Sequence, residues 1–338
     1  MKDTLQAVVV LGVIVTLVGG QQGCDFRQNL LPGRSYDGLA TLAGADTFCG
    51  NIHVTQEAFG RTLVVGLRTP RTSRGGRFLC TITARACQCG QRRSTRIVGG
   101  TQTGVNEFPM MAGLVDSRIR TVICGATIIS HRHALTAAHC TRNVPVRNAG
   151  LLVGEHDLSV GHETPHTRLL TVARFIVHPS YAPNPSRNDI ALVQPQTNIV
   201  FSPGVAPVCL PFDQRTNTFL GARVEATGWG TLDFGGPTSN RLMRVTLDVV
   251  ANSVCTSRLN NPNILASHLC TFTPGRDTCQ YDSGGPLMWT NPRNGRLYLA
   301  GVTSFGIECG THPTANTRTT SFLAWIEQNT PGIEYCRP

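Results

Sequence analysis

The stretch Cys279-Gln280-Tyr281-Asp282-Ser283-Gly284-Gly285-Pro286-Leu287 decides how this chain is read. A serine between an aspartate and two glycines predicts a tight loop, because glycine tolerates positive φ and lets the backbone approach a neighbour closely. Alone, Asp-Ser-Gly-Gly is a polar turn. Two upstream stretches change its meaning. Thr136-Ala137-Ala138-His139-Cys140 supplies a histidine, and Asn188-Asp189-Ile190-Ala191-Leu192 supplies an aspartate. A serine hydroxyl is a weak nucleophile at neutral pH and needs a base within hydrogen-bond reach, itself oriented by a third group. His139, Asp189 and Ser283, in that order and widely separated, can fill those roles.

The composition suits a folded, β-rich protein: 41% of residues are hydrophobic and 15% charged. From Ile97 onward, short apolar runs alternate with Gly, Pro and Asn turns. Residues 121–129, 169–177, 223–227, 244–250 and 297–304 read as strands, which argues for an all-β fold of barrels or sandwiches. Near the C-terminus, Ser321 can cap a helix in which Phe322, Trp325 and Ile326 share one face. His131 and His133 lie close to His139 but outside the Ala-Ala-His-Cys frame, and they read as surface residues.

The first 20 residues read as a signal peptide. Lys2 precedes an apolar run from 7 to 18, and Gly19-Gly20 offers small residues for cleavage. A run of about 12 residues is too short to span a bilayer. Secretion is therefore expected, and the 13 cysteines then imply disulfides rather than zinc. The formal net charge of +10 comes without a nucleic-acid-binding motif, so a solvated basic surface is expected and nucleic acid and membrane are not.

Together with Arg96-Ile97-Val98-Gly99-Gly100, the three stretches above closely resemble the trypsin/chymotrypsin-like serine proteases, over residues 97–338. The resemblance implies two six-stranded antiparallel β-barrels with a C-terminal helix and the active site between the barrels. It implies His139 as base, Asp189 as its orienting partner and Ser283 as nucleophile. The backbone N–H groups of Tyr281 and Ser283 would form the oxyanion hole. Asp277, six residues before the serine, would lie at the base of a pocket also lined by Ser304, Gly306 and Thr314, and would select Arg or Lys. Cleavage between Arg96 and Ile97 would release an ammonium that pairs with Asp282, so the chain is a zymogen. The expected disulfides are Cys124–Cys140, Cys255–Cys270 and Cys279–Cys309, with Cys209 paired to a cysteine before the cleavage site. A further bridge common in the family is missing, since Trp289 takes one position and no cysteine lies near Glu225.

Two departures from the family pattern bear on function. Tyr281 stands where glycine is usual in the oxyanion loop. Thr314, or Ala315 if the loop is shifted, stands where a glycine usually lines the pocket. Glu155, Asp157 and Glu163 partly match the family's calcium-binding loop, but a solvated acidic loop is the expectation, and no cofactor is expected.

Ahead of the protease part, residues 21–83 are similar to the second half of a CUB domain, with short strands expected at 62–68 and 77–82 and a Cys24–Cys49 bridge. Half a sandwich leaves an unpaired edge and an open apolar face. Residues 84–96 form a polar linker carrying the activation site, and Cys80, one of Cys87 and Cys89, and Cys336 are left without assigned mates. This organisation resembles arthropod CUB-serine proteases, including venom-type members. The expected function is a secreted, monomeric, trypsin-like endopeptidase acting on proteins or peptides, with an upstream activating protease and protease inhibitors as partners. The alternatives are a catalytically weak homologue serving as a binding cofactor, and an adhesion module built on the N-terminal region.

Overall fold

The computed structural model describes residues 88–93 and 102–337 with side chains, except 143, 162, 185, 232–234, 279–281 and 308; of residues 1–87 it describes only five backbone strands. The chain divides into two units, 1–87 with 332–334, and 88–331 with 335–338. In the first unit, Thr4–Val8 pairs with Thr62–Gly66, and Val13–Gly19 lies between Ile52–Ala58 and Phe78–Ala84, all antiparallel. Two of these strands fall within the expected leader.

The second unit is two closed barrels. The first uses β1 (Met111–Asp116), β2 (Thr121–Ser130), β3 (His133–Thr136), β4 (Ala149–Val153), β5 (Arg168–Val177) and β6 (Ala191–Pro195). The second uses β7 (Arg223–Gly228), β8 (Met243–Val250), β9 (His268–Thr271), β10 (Pro286–Thr290), β11 (Leu297–Phe305) and β12 (Thr314–Arg318). Around the first barrel the order is β1-β2-β3-β6-β5-β4, and around the second β7-β8-β9-β12-β11-β10. The same order recurs six strands later, and every pairing is antiparallel. Closure leaves no strand edge unpaired.

Apolar side chains fill both barrels. Leu114, Ile128, Leu135, Leu151 and Leu192 are fully buried in the first, and Val224, Leu247, Leu269, Leu287 and Ala300 pack together in the second. The first cluster runs on into Met288, Leu299 and Val302, so the barrels share part of one core. Helix α1 (Asn252–Arg258) is tied to β9 by Cys255–Cys270. Helix α2 (Leu323–Asn329) buries Leu323, Trp325 and Ile326. Its start differs from expectation. A 3-10 turn, Thr319–Phe322, leads into it, no side chain caps it, and Ser321 Oγ instead accepts from the Arg318 guanidinium.

Three disulfides are formed among the described residues, Cys89–Cys209, Cys124–Cys140 and Cys255–Cys270, so Cys89 rather than Cys87 is the mate of Cys209. Cys309 and Cys336 are also disulfide-bonded. The side chains of Cys24, Cys49, Cys80, Cys87 and Cys279 lie outside the described residues. Where the family's further bridge is missing, Trp289 packs between the Phe219 and Tyr298 rings, and Glu225 is ion-paired with Arg92.

His133, expected at the surface, is buried at 4% exposure in β3. The strand alternation that turns Leu135 inward turns residue 133 the same way. Burial, with Arg132, His131 and Arg174 nearby, lowers its pKa to about 4. The unfolded chain binds this proton near pH 6.5 and the folded chain only near 4, so stability falls as pH drops through that window. The cost at pH 4 is on the order of 3 kcal/mol. Urea unfolding at pH 7 and pH 4.5 should give a smaller loss in His133→Gln than in the wild type; equal losses would assign the acid sensitivity elsewhere.

Candidate active site

His139 sits in a single 3-10 turn, Ala138–Thr141, directly after β3. Cys124–Cys140 anchors that turn to β2, and the Thr136 hydroxyl donates to the Gly125 carbonyl at 2.8 Å. Asp189 precedes β6 and follows Asn188, whose φ of 51° turns the chain inward. The two side chains meet: His139 Nδ1 lies 2.7 Å from Asp189 Oδ2, and the His139 backbone N–H donates to Oδ1 at 2.9 Å.

The second barrel completes this contact. Ser304 Oγ, from β11, donates to Asp189 Oδ2 at 2.5 Å, and Thr317 Oγ1, from β12, donates to the Asp189 carbonyl at 2.8 Å. Burial alone would raise the Asp189 pKa, but the bonds from His139 and Ser304 outweigh it and leave the pKa lowered. An ionised carboxylate only accepts, so Nδ1 of His139 carries the ring proton and Nε2 presents a lone pair. The His139 side chain is 35% exposed and that of Asp189 only 3%, so the imidazole is reachable and its partner is not.

Ser283 comes from the second barrel, on the turn before β10. Its carbonyl accepts the Gly125 N–H at 2.8 Å. Gly284 has φ +79°, and a Cβ there would run into Thr136 and the Gly125 carbonyl. A Cβ on Gly125 would lie 2.6 Å from Gly285 Cα. Bare backbones at 125 and 284 thus let the barrels touch. The turn is pinned further by Gly284 N–H to Thr303 O at 2.8 Å and Thr303 N–H to Gly285 O at 3.0 Å. Cys140 Sγ lies 3.6 Å from the Ser283 carbonyl oxygen and 3.6 Å from His139 Nε2, so serine backbone and imidazole flank one disulfide sulphur.

Asp282 turns away from Ser283. Its Oδ1 accepts the Gly230 N–H at 2.9 Å, and a Cβ on Gly228 or Gly230 would collide with its carboxylate. The glycines flanking Trp229 therefore leave room for this side chain. Asp282 and Asp277 both line a cavity of about 190 Å³, together with Gly228, Gly230 and Met243.

The Asp277 carboxylate is already engaged. Thr314 Oγ1 lies 2.9 Å from each oxygen, the Thr278 N–H donates at 2.8 Å and the Gly310 N–H at 3.3 Å. Burial raises its pKa, and these bonds offset the rise only in part. A Cβ placed on Gly306 would lie 3.1 Å from Thr314 Oγ1, so threonine fills space between Gly306 and Asp277. The β12 register, Thr271 opposite Thr314 and Cys270 opposite Ala315, puts position 314 rather than 315 beside Asp277.

The acidic loop is internally paired. Asp157 accepts from Ser159 and from Arg241 Nε at 3.1 Å, while Glu163 accepts the Asp157 N–H and Glu155 the His156 N–H. Among the described residues, the tight cluster of metal-ligating types is Cys124, His139 and Cys140, but both sulphurs are spent in a disulfide. Of the other residues expected to carry function, Arg96, Ile97, Cys279 and Tyr281 lie outside the described residues. Sequence reading missed Thr317, Gly125 and Gly310, whose roles arise only when one barrel meets the other or one loop folds over another.

The paired barrels, with an Asp-oriented histidine beside a glycine-rich serine turn, define a serine protease of the trypsin class, and the chain belongs to that family. The trypsin family model matches residues 97–326. Venom serine protease 34 of Apis mellifera is 40% identical over 303 residues, covering 86% of this chain and 73% of that protein. A venom serine protease of Polistes dominula is 40% identical over 74% of this chain and 91% of its own length. Trypsin-1 of Astacus astacus is 34% identical over 69% of this chain and 99% of its own.

Gly125→Ala tests the contact between the barrels. The added methyl must push the Ser283 turn away from His139. A displacement near 1 Å can cost about 10²-fold in rate, so kcat/KM for peptide hydrolysis should fall by roughly that factor. Unchanged kinetics would mean that the close approach does not position the serine.

Proposed function

We propose that this chain is a secreted serine endopeptidase, made as a zymogen and activated by cleavage between Arg96 and Ile97, that cuts peptide bonds after Arg or Lys. The observation that carries it is the 2.7 Å contact of His139 Nδ1 with a buried Asp189, which leaves Nε2 basic beside the Ser283 turn. Ser283 Oγ attacks the substrate carbonyl carbon while its proton passes to Nε2. The tetrahedral oxyanion accepts backbone N–H groups from Tyr281 and Ser283. His139 then protonates the leaving amine, an acyl-enzyme remains, and water repeats the sequence in reverse to release the acid. Asp189 fixes the tautomer and balances the imidazolium throughout.

Activation follows from the surroundings of Asp282. Its carboxylate holds the Gly230 N–H and lines a cavity of about 190 Å³, and on this reading the Ile97 ammonium enters that cavity and pairs with it. Cys89–Cys209 keeps the two chains joined after the cut. Secretion is supported by the disulfide content and the venom relatives.

The test is direct. The chain is cleaved after Arg96 and assayed on Arg-, Lys- and Phe-amide peptides, with Ser283→Ala as control. Turnover of the basic peptides, lost in the control, is expected. A correctly cleaved, folded protein that turns over none of them would instead be a binding homologue. Thr314→Gly should raise kcat/KM for the Arg peptide by roughly tenfold, because it frees Asp277 and deepens the pocket. No gain would mean that the threonine moves aside when substrate binds.

A further inference from the structure

The sequence Gln91-Arg92-Arg93-Ser94-Thr95-Arg96 offers three arginines to a processing protease. The structure treats the first two very differently from an open linker. Gly90 N–H donates to the Pro207 carbonyl and Gly90 O accepts from Leu297 N–H, each at 2.8 Å. Arg296 Nη1 donates to the Cys89 carbonyl at 2.9 Å, and Cys89 is bonded to Cys209. Gly90 has φ +64° and lies so close to Leu297 that no side chain fits there. The Arg93 N–H donates to the Glu107 carbonyl at 3.0 Å.

Arg92 is the centre of this docking. Its Nε donates to Glu107 Oε1 at 2.8 Å and its Nη1 to Glu225 Oε1 at 3.0 Å. Nη2 lies 2.8 Å from Glu225 Oε2, off the hydrogen-bond direction but within ion-pair reach. The guanidinium also covers the Phe108 ring, 4.7 Å from its centroid. Glu107 is buried at 6% exposure and holds the Gly104 N–H and Arg244 as well. A forked cation gripped by two carboxylates over an aromatic face is a specific peptide-recognition site.

We propose that Glu107, Glu225 and Phe108 form a docking site for the segment 89–93, and that this site selects the bond at which the chain is processed. A protease threads its substrate as an extended strand, with the arginine before the scissile bond free to enter a pocket. For cleavage after Arg92 or Arg93, the residues the protease must take are those docked here. For cleavage after Arg96, they begin just beyond the docked segment. Arg92 precedes the 96–97 bond in the chain and Glu107 follows it, so the clamp joins the segments that flank residues 94–101. The selection matters because a cut after Arg93 would leave Ser94-Thr95-Arg96 ahead of Ile97, and the amino group meant for Asp282 would be three residues away. The proposal rests on the zymogen reading only for that consequence.

The experiment uses the full chain carrying Ser283→Ala, so that its own activity plays no part, with trypsin as the probe. New N-termini are sequenced over time for this protein and for versions with Glu225→Gln or Arg92→Gln, and thermal unfolding confirms that each is folded. Glu225→Gln keeps every arginine, and Arg92→Gln keeps the Arg93–Ser94 bond. The expected result is Ile97 as the N-terminus formed first from this stretch in the parent. Cleavage after Arg93 should rise at least roughly tenfold, relative to that after Arg96, in both variants. Early cleavage after Arg92 or Arg93 in the parent, or an unchanged pattern in folded variants, would overturn the docking site. Neither outcome depends on whether Ile97 activates the enzyme, which the peptide assay reads separately.

Discussion

The Asp189 carboxylate is the point on which the two barrels agree. It belongs to the first barrel, yet Ser304 and Thr317 of the second hold its side chain and its carbonyl. A buried carboxylate without donors would take up a proton or drive the barrels apart. Here three donors face it, two from His139 and one from Ser304, and they keep it ionised. That charge sets the histidine tautomer. The interaction that joins the barrels is therefore also the one that orients the imidazole.

The Ser283 turn meets the same seam through backbone rather than charge. Gly125 and Gly284 give up side chains so that main chains from opposite barrels can touch. Thr136 and Cys140 close the gap from the histidine side. Neither half of the site is complete within one barrel, so its geometry depends on correct docking of both. Activation by cleavage, as proposed, would act on the Ser283 turn through Asp282 and the cavity it faces.

Much of this was legible in the sequence because it depends on local pattern. The strands at 121–129, 223–227 and 297–304 follow from apolar runs between turn residues, and the observed elements exceed them by a residue at the C-terminal end. His139, Asp189 and Ser283 stand in motifs whose residue types state their chemistry. What was hidden depends on contacts between distant segments. His133 read as a surface residue because it stands outside the Ala-Ala-His-Cys frame, yet it lies on β3 and is buried. Thr314 was visible as a departure in the pocket, but not as a hydroxyl bonded to Asp277. Arg92 looked like one charge among several in a basic linker, and only the fold brings Glu107 and Glu225 to it.

The central claim is that Ser283 becomes a reactive nucleophile once the chain is cut after Arg96. A fluorophosphonate forms a covalent bond only with an activated serine beside a working oxyanion hole, and mass spectrometry locates the adduct. The account predicts little labelling of the intact chain, rapid labelling of Ser283 after cleavage, and none in Ser283→Ala. A cleaved and folded protein whose Ser283 stays unlabelled, or an intact chain labelled just as fast, would contradict it.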